Sequence, residues 1–242
     1  MPILRDCVIH YGGADLTATA NEFAVDLSYA DQDVTTFGSS GNRERIAGLE
    51  DATASVMTFG DPVIVEPNLA TREGDVELLT AVQFPTGGAA TVGDRTYSLR
   101  GLLLSTKQPM KVGDVSKLDA SLSQARPEGL LAGQLLAPKA TISATTNGTA
   151  VNLGAVSTGQ LVYLGVHVFA LTGDRTVTLK LQSATASGFS SPTDRVSLSA
   201  ITAAGSGFGS SSTATTNAWW RVVATLGGTT GSVTFAAFAA IQ

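Results

Sequence analysis

Residues 22–30 read EFAVDLSYA. Phe23, Val25, Leu27 and Tyr29 alternate with Glu22, Ala24, Asp26 and Ser28, the period of a β-strand with one apolar and one wet face. Residues 117–123, KLDASLS, repeat the pattern, with Leu118, Ala120 and Leu122 opposite Lys117, Asp119, Ser121 and Ser123. Further strands are predicted at 52–59 and at 97–105, which turns apolar towards its end. Residues 129–136 are expected to pair antiparallel with 117–124 across the turn Arg126-Pro127-Glu128. One helix is predicted, over Thr71–Val82, from the spacing of Val76, Leu78, Leu79 and Val82; Gly74 weakens it. Between strands 22–30 and 52–59, the polar segment Asp33–Asp51 reads as a long loop, of the kind that is usually functional or disordered.

The second half of the chain continues the β signal. Residues 161–171 (LVYLGVHVFAL), 176–183, 195–201, 219–226 and 232–241 are strand-like, and 140–145 and 151–156 are weaker. Thr172-Gly173-Asp174-Arg175 and Leu226-Gly227-Gly228-Thr229 have hairpin-turn chemistry. Residues 205–212, GSGFGSSS, read as a flexible loop. The fold class is therefore all-β with one short helix: an N-terminal β-barrel or sandwich followed by a C-terminal antiparallel β-sandwich.

Composition divides the chain near Ala137-Pro138. Residues 1–137 hold 10 Lys and Arg against 18 Asp and Glu, a net charge of −8; residues 138–242 hold 5 against 2, a net of +3. Pro138, after the run Gly133–Leu136, reads as a strand end and linker, so the predicted domains are 1–137 and 138–242. Of 242 residues only 14% are charged, below the roughly 25% of ordinary soluble domains, which suits a protein that buries surface against copies of itself. A net charge of −5 argues against a general nucleic-acid binder. Residues 1–10 show no secretory h-region, and no apolar run is long enough to span a membrane.

The chemistry-bearing residues are few. His10 and His167 are the only histidines and Cys7 the only cysteine. These make neither a triad nor a zinc site of ordinary spacing, and both histidines and Cys7 read as structural. No nucleophile elbow, phosphate loop or calcium loop occurs, so the prediction is a non-enzyme with no cofactor and no metal. Asn147-Gly148-Thr149 matches a glycosylation sequon, which is idle without a secretory route. In Trp219-Trp220 adjacent residues face opposite ways, so one belongs to the core and the other to a surface where it could stack on sugar. That keeps open an alternative, a β-protein that binds carbohydrate or a host surface through Trp219 or Trp220; under the resemblance given next it would be a virion protein (capsid, baseplate or tail decoration).

Residues 33–38 (DVTTFG), 48–52 (GLEDA), 112–122 (VGDVSKLDASL) and 128–136 (EGLLAGQLL) together resemble the major tail tube proteins of long-tailed bacteriophages. The resemblance covers roughly residues 1–137. It implies a subunit that forms homo-hexameric rings stacked into a hollow tube, located in the virion tail after synthesis in the host cytoplasm. Tail terminator, tape measure and tail tip proteins would be its partners, with DNA only as passing cargo. A conduit must not hold the phosphate backbone with lysines and arginines, so Glu22, Asp26, Ser28 and Asp119 are the candidate lumen-facing residues, with Lys117 dissenting. Thr36, Phe37, Arg43, Glu44 and Arg45 are the candidate ring-to-ring contact. The second half would decorate the tube, with its positive charge available for an anionic cell surface.

Overall fold

The computed structural model describes residues 6–36, 43–84, 88–109 and 111–242. In chain order the strands of the first half are β1 (Asp6–Tyr11), β2 (Ala14–Asp15), β3 (Ala20–Asp33), β4 (Arg45–Phe59), β5 (Val76–Phe84), β6 (Arg95–Lys107), β7 (Lys117–Gln124) and β8 (Leu130–Ile142). The second half adds β9 (Thr146–Asn147), β10 (Val151–Asn152), β11 (Val162–Leu171), β12 (Thr176–Ala184), β13 (Thr193–Ser197), β14 (Gly205–Ser211), β15 (Trp219–Gly227) and β16 (Val233–Ile241). All pairings are antiparallel, and the described strands do not close into a barrel.

Two hydrophobic cores follow from the alternation. In the first, Leu118, Ala120 and Leu122 of β7 meet Ala52, Ala54 and Val56 of β4, Leu103 of β6 and Leu69. In the second, Val162, Leu164, Val166 and Val168 of β11 and alternate residues of β16 face Leu179 and Leu181 of β12 and Trp220 and Val222 of β15. That second core is the interior of a sandwich. One layer is β14-β11-β16-β8 and the other is the smaller sheet β10-β15-β12-β13, with β9 also on β15.

Several sequence expectations are corrected. The predicted helix at 71–82 is absent: Val76–Phe84 is β5, hydrogen-bonded between β1 and β6. Leu78, Leu79, Thr80, Ala81 and Val82 are all buried, so neither face is wet and the period-2 signal is lost. The helical element is a five-residue π-turn just upstream, Glu66–Ala70, and Asp61 caps the segment leading into it by accepting hydrogen bonds from the Val63 and Ile64 amides. The expected hairpin between 117–124 and 129–136 does not form. Gly101 pairs with Gln124 and Leu99 with Leu130, so β7 and β8 run in the same direction along one edge of β6. Residues 125–129 bulge outward between them, held by Arg100 on Glu128 at 3.0 Å and closed by Gly129 at φ 62°.

Pro138 neither ends a strand nor acts as a linker. β8 continues through it to pair with β16, because Pro138 sits in a bulge where no N–H is needed. Residues 205–211 form strand β14 on β11, not a flexible loop. Their small side chains are required: a Cβ at Gly209 would lie 2.8 Å from Leu198 Cδ2. The turns 172–175 and 226–229 are arches that carry the chain between the two sheets rather than hairpins, since β11 and β16 lie in one sheet and β12 and β15 in the other. They are tied together through Asp174, which accepts from the Thr229 and Thr230 amides. These hydrogen bonds hold its carboxyl well below the usual range.

Candidate assembly surface

The β3–β4 pair decides the geometry of the surface. Its register sets Glu22 against Met57, Asp26 against Thr53 and Ser28 against Asp51, while Met57 pairs onward with Asp119 of β7. Glu22, Asp26, Ser28 and Asp119 therefore lie on one face of a four-stranded layer, β3-β4-β7-β6. The same face carries Thr53, Ser55, Ser121, Ser123 and Ser105, with Lys117 beside Asp119 on β7 and Lys107 paired to it from β6. It carries short polar side chains and carboxylates, with Met57 between Glu22 and Asp119 and two lysines beside Phe59 at one end. The opposite face is the first core.

Beyond Leu27 the hairpin leaves the body, and β3 is exposed on both faces from there to Asp33. Of the region expected as a loop, Asp33–Asp51, residues 45–51 are strand, because β4 already begins at Arg45. Thr35 accepts from the Glu44 amide at 3.0 Å, and Arg45 pairs with Asp31 across the strands. Arg43 and Glu44 are exposed. Thr36 is the last described residue on the β3 side, and Phe37 lies outside the described residues.

All the large apolar side chains exposed among the described residues lie in the first half. Eight of these eleven fall into two groups near opposite ends of β4, while Val34, Val76 and Leu104 lie outside them. One comprises Leu27, Tyr29, Ile46 and Leu49 (85% exposed) on the projecting hairpin; the other comprises Phe59, Val63, Val112 (fully exposed) and Val115. The second group is knit together by the Gly60 amide on Ser116 O at 2.9 Å and by Gln108, which reaches both Glu66 and Ser116. Burying one such side chain is worth about 1.5–3 kcal/mol, so the isolated chain leaves several such increments unrealised.

The second half offers no comparable surface. Trp220 is fully buried and donates from Nε1 to Gly154 O at 2.8 Å. Trp219 is half-buried on the outer face of its sheet. The pair thus splits as strand geometry requires, and neither ring is a freely exposed platform.

The histidines sit where the halves meet. His167 Nδ1 lies 2.7 Å from Gly12 O and Nε2 lies 2.8 Å from Thr80 Oγ1, which itself accepts from Ser98. A carbonyl only accepts, so Nδ1 carries the proton and Nε2 accepts from Thr80. His10, on β1, is buried against Phe169 with neither ring nitrogen hydrogen-bonded. Burial lowers His167 to about 3 and His10 to about 4, with Asp15 opposing and Lys139 reinforcing the latter. Both rings are neutral spacers at neutral pH. Among the described residues no group of His, Cys, Asp and Glu could hold a metal, and no helix is long and apolar enough to cross a membrane.

No protein-family model matches the chain, and no curated protein matches it. Solved structures do. One is a chain of the virion of a native gene transfer agent particle, at 16% identity over 52% of this chain and 94% of that one, with a TM-score of 0.40. Another belongs to the sheath-tube complex of an extracellular contractile injection system, at 12% identity over 55% and 90%, with a TM-score of 0.43. The Dit protein of phage SPP1, a hub of the adsorption apparatus, matches end to end, over 98% and 100%, at 11% identity and a TM-score of 0.32. The first two likenesses cover about half of this chain and nearly all of the other.

Proposed function

We propose that this chain is a structural subunit of a phage-type tail, which polymerises through residues 1–137 into stacked rings that form the tube wall. The observation that carries this reading is the distribution of exposed apolar side chains: most project from the β3–β4 hairpin or lie around Phe59 at the far end of β4, and none of those described lies in residues 138–242. A monomer has no use for such a hairpin, whereas a subunit covered on several sides by copies of itself does. The acidic, serine-rich face bearing Glu22, Asp26, Ser28 and Asp119 is the proposed lumen wall. DNA passes such a wall without the multiple cation–phosphate contacts that would hold it.

In this reading residues 138–242 form a decorating unit facing away from the channel, its core completed by Leu136 of β8, and hexameric symmetry and contacts with terminator, tape measure and tip proteins belong to the same proposal. Electron microscopy of the purified protein tests it: hollow rings or tubes are expected, and a reconstruction with Glu22 and Asp26 outside the channel would remove the lumen assignment. A protein that stays monomeric at every concentration would remove the whole reading.

A further inference from the structure

The two large cores are separate, and beside them lies a third, small apolar cluster. In it Val82 and Leu135 are buried, with Val8 and Ala90 packed against them. The same four residues line a cavity of about 620 Å³, a size that small-molecule sites occupy. Its walls come from β1, the start of β3, β5 and β8, and they carry three charged groups, Asp15, Glu22 and Lys139. Two of these satisfy each other: Lys139 Nζ lies 2.7 Å from Asp15 Oδ2, and the other Asp15 oxygen accepts from the Thr17 amide. Glu22 is exposed, and among the described residues it has no hydrogen-bond or ion-pair partner. His10, also on the wall, adds no charge at neutral pH. The cavity therefore joins an apolar depth to one unmatched carboxylate. We propose that it binds a small organic ammonium, an amine on a short apolar chain, with the chain against Val8, Val82 and Leu135 and the ammonium at Glu22. A carboxylate head would face Glu22 and would have to displace Asp15 from Lys139, so the same wall selects against anions. The ligand touches β1, β3 and β8 at once, and its binding stabilises that junction by mass action. This inference does not rest on the polymer reading.

Three probes of one chain length test this on the full chain at pH 7: hexylammonium, hexanol and hexanoate. Calorimetric titration should rank hexylammonium first, hexanol about fivefold weaker and hexanoate weakest, and hexylammonium should raise the melting temperature most. Cys7 is the sole cysteine and lines the cavity, so bound hexylammonium should also slow its labelling by a thiol reagent. Glu22→Gln should bring hexylammonium and hexanol level. Ala90→Phe, which fills the cavity from its wall, should abolish binding of both; far-UV circular dichroism checks that each variant folds, and Glu22→Gln, at an exposed position, keeps the test decisive if Ala90→Phe does not. Hexanoate binding as tightly as hexylammonium, a preference for the amine that survives Glu22→Gln, unchanged labelling of Cys7, or no binding at all would each overturn the proposal. None of these outcomes touches the polymer reading, which microscopy tests separately.

Discussion

Acidification should weaken the junction between the two halves well before it reaches the carboxylates. Wild-type protein taken from pH 7 to pH 5 keeps His10 and His167 neutral when folded, because their folded values are about 4 and 3. When unfolded, both titrate near 6.5 and gain protons over that interval. The unfolded state then binds more protons, so stability falls as pH falls. At pH 5 each unfolded histidine is 1.5 units below its midpoint of about 6.5, which costs about 2 kcal/mol each and about 4 kcal/mol together. That is a large share of a typical 5–15 kcal/mol. Asp15 beside His10 does not blur the window. Although burial alone would raise it, hydrogen bonds from Lys139 and Thr17 hold it below 3.8, so its contribution is lost only in stronger acid. The assay is urea unfolding at pH 7, 6 and 5, followed by tryptophan fluorescence at a concentration below assembly. His10→Leu removes a ring with no hydrogen bonds to lose and should halve the loss. Wild-type stability unchanged between pH 7 and 5, or a His10→Leu protein with the full loss, would refute the reasoning.

Other consequences can be checked separately. Burial raises the Cys7 thiol to about 11; at pH 8 its thiolate fraction is then about a hundredfold below that of a free cysteine of ordinary pKa, and labelling by a thiol reagent should be slower in proportion than in denatured protein. A Cβ at Gly165 would lie 2.1 Å from Phe238 Cε1, so Gly165→Ala should cost about 1–3 kcal/mol in denaturant titration. Trp220→Ala empties the centre of the second core and should cost about 3–5 kcal/mol, read by calorimetry.

What residues 22–30 and 117–123 dictate by themselves is the all-β class and which face of each strand is dry, since alternation is a local property wherever one face is buried and the other wet. The split of Trp219 and Trp220 follows from the same rule, and the grouping of Glu22, Asp26 and Ser28 on one face needs only strand parity. Tertiary structure decided the rest. β5 is buried on both faces, so its apolar run mimics a helix. β3 is exposed on both faces beyond Leu27 and the start of β4 pairs with β3 alone, so that stretch mimics a loop; β14 is strand only because β11 offers it partners. The straight run of β7 into β8, where a hairpin was expected, depends on which edge of β6 was free. Pairing partners lie far apart in sequence, and no local period records them. The two opposed apolar ends of β4 are for that reason visible only once the strands are in register.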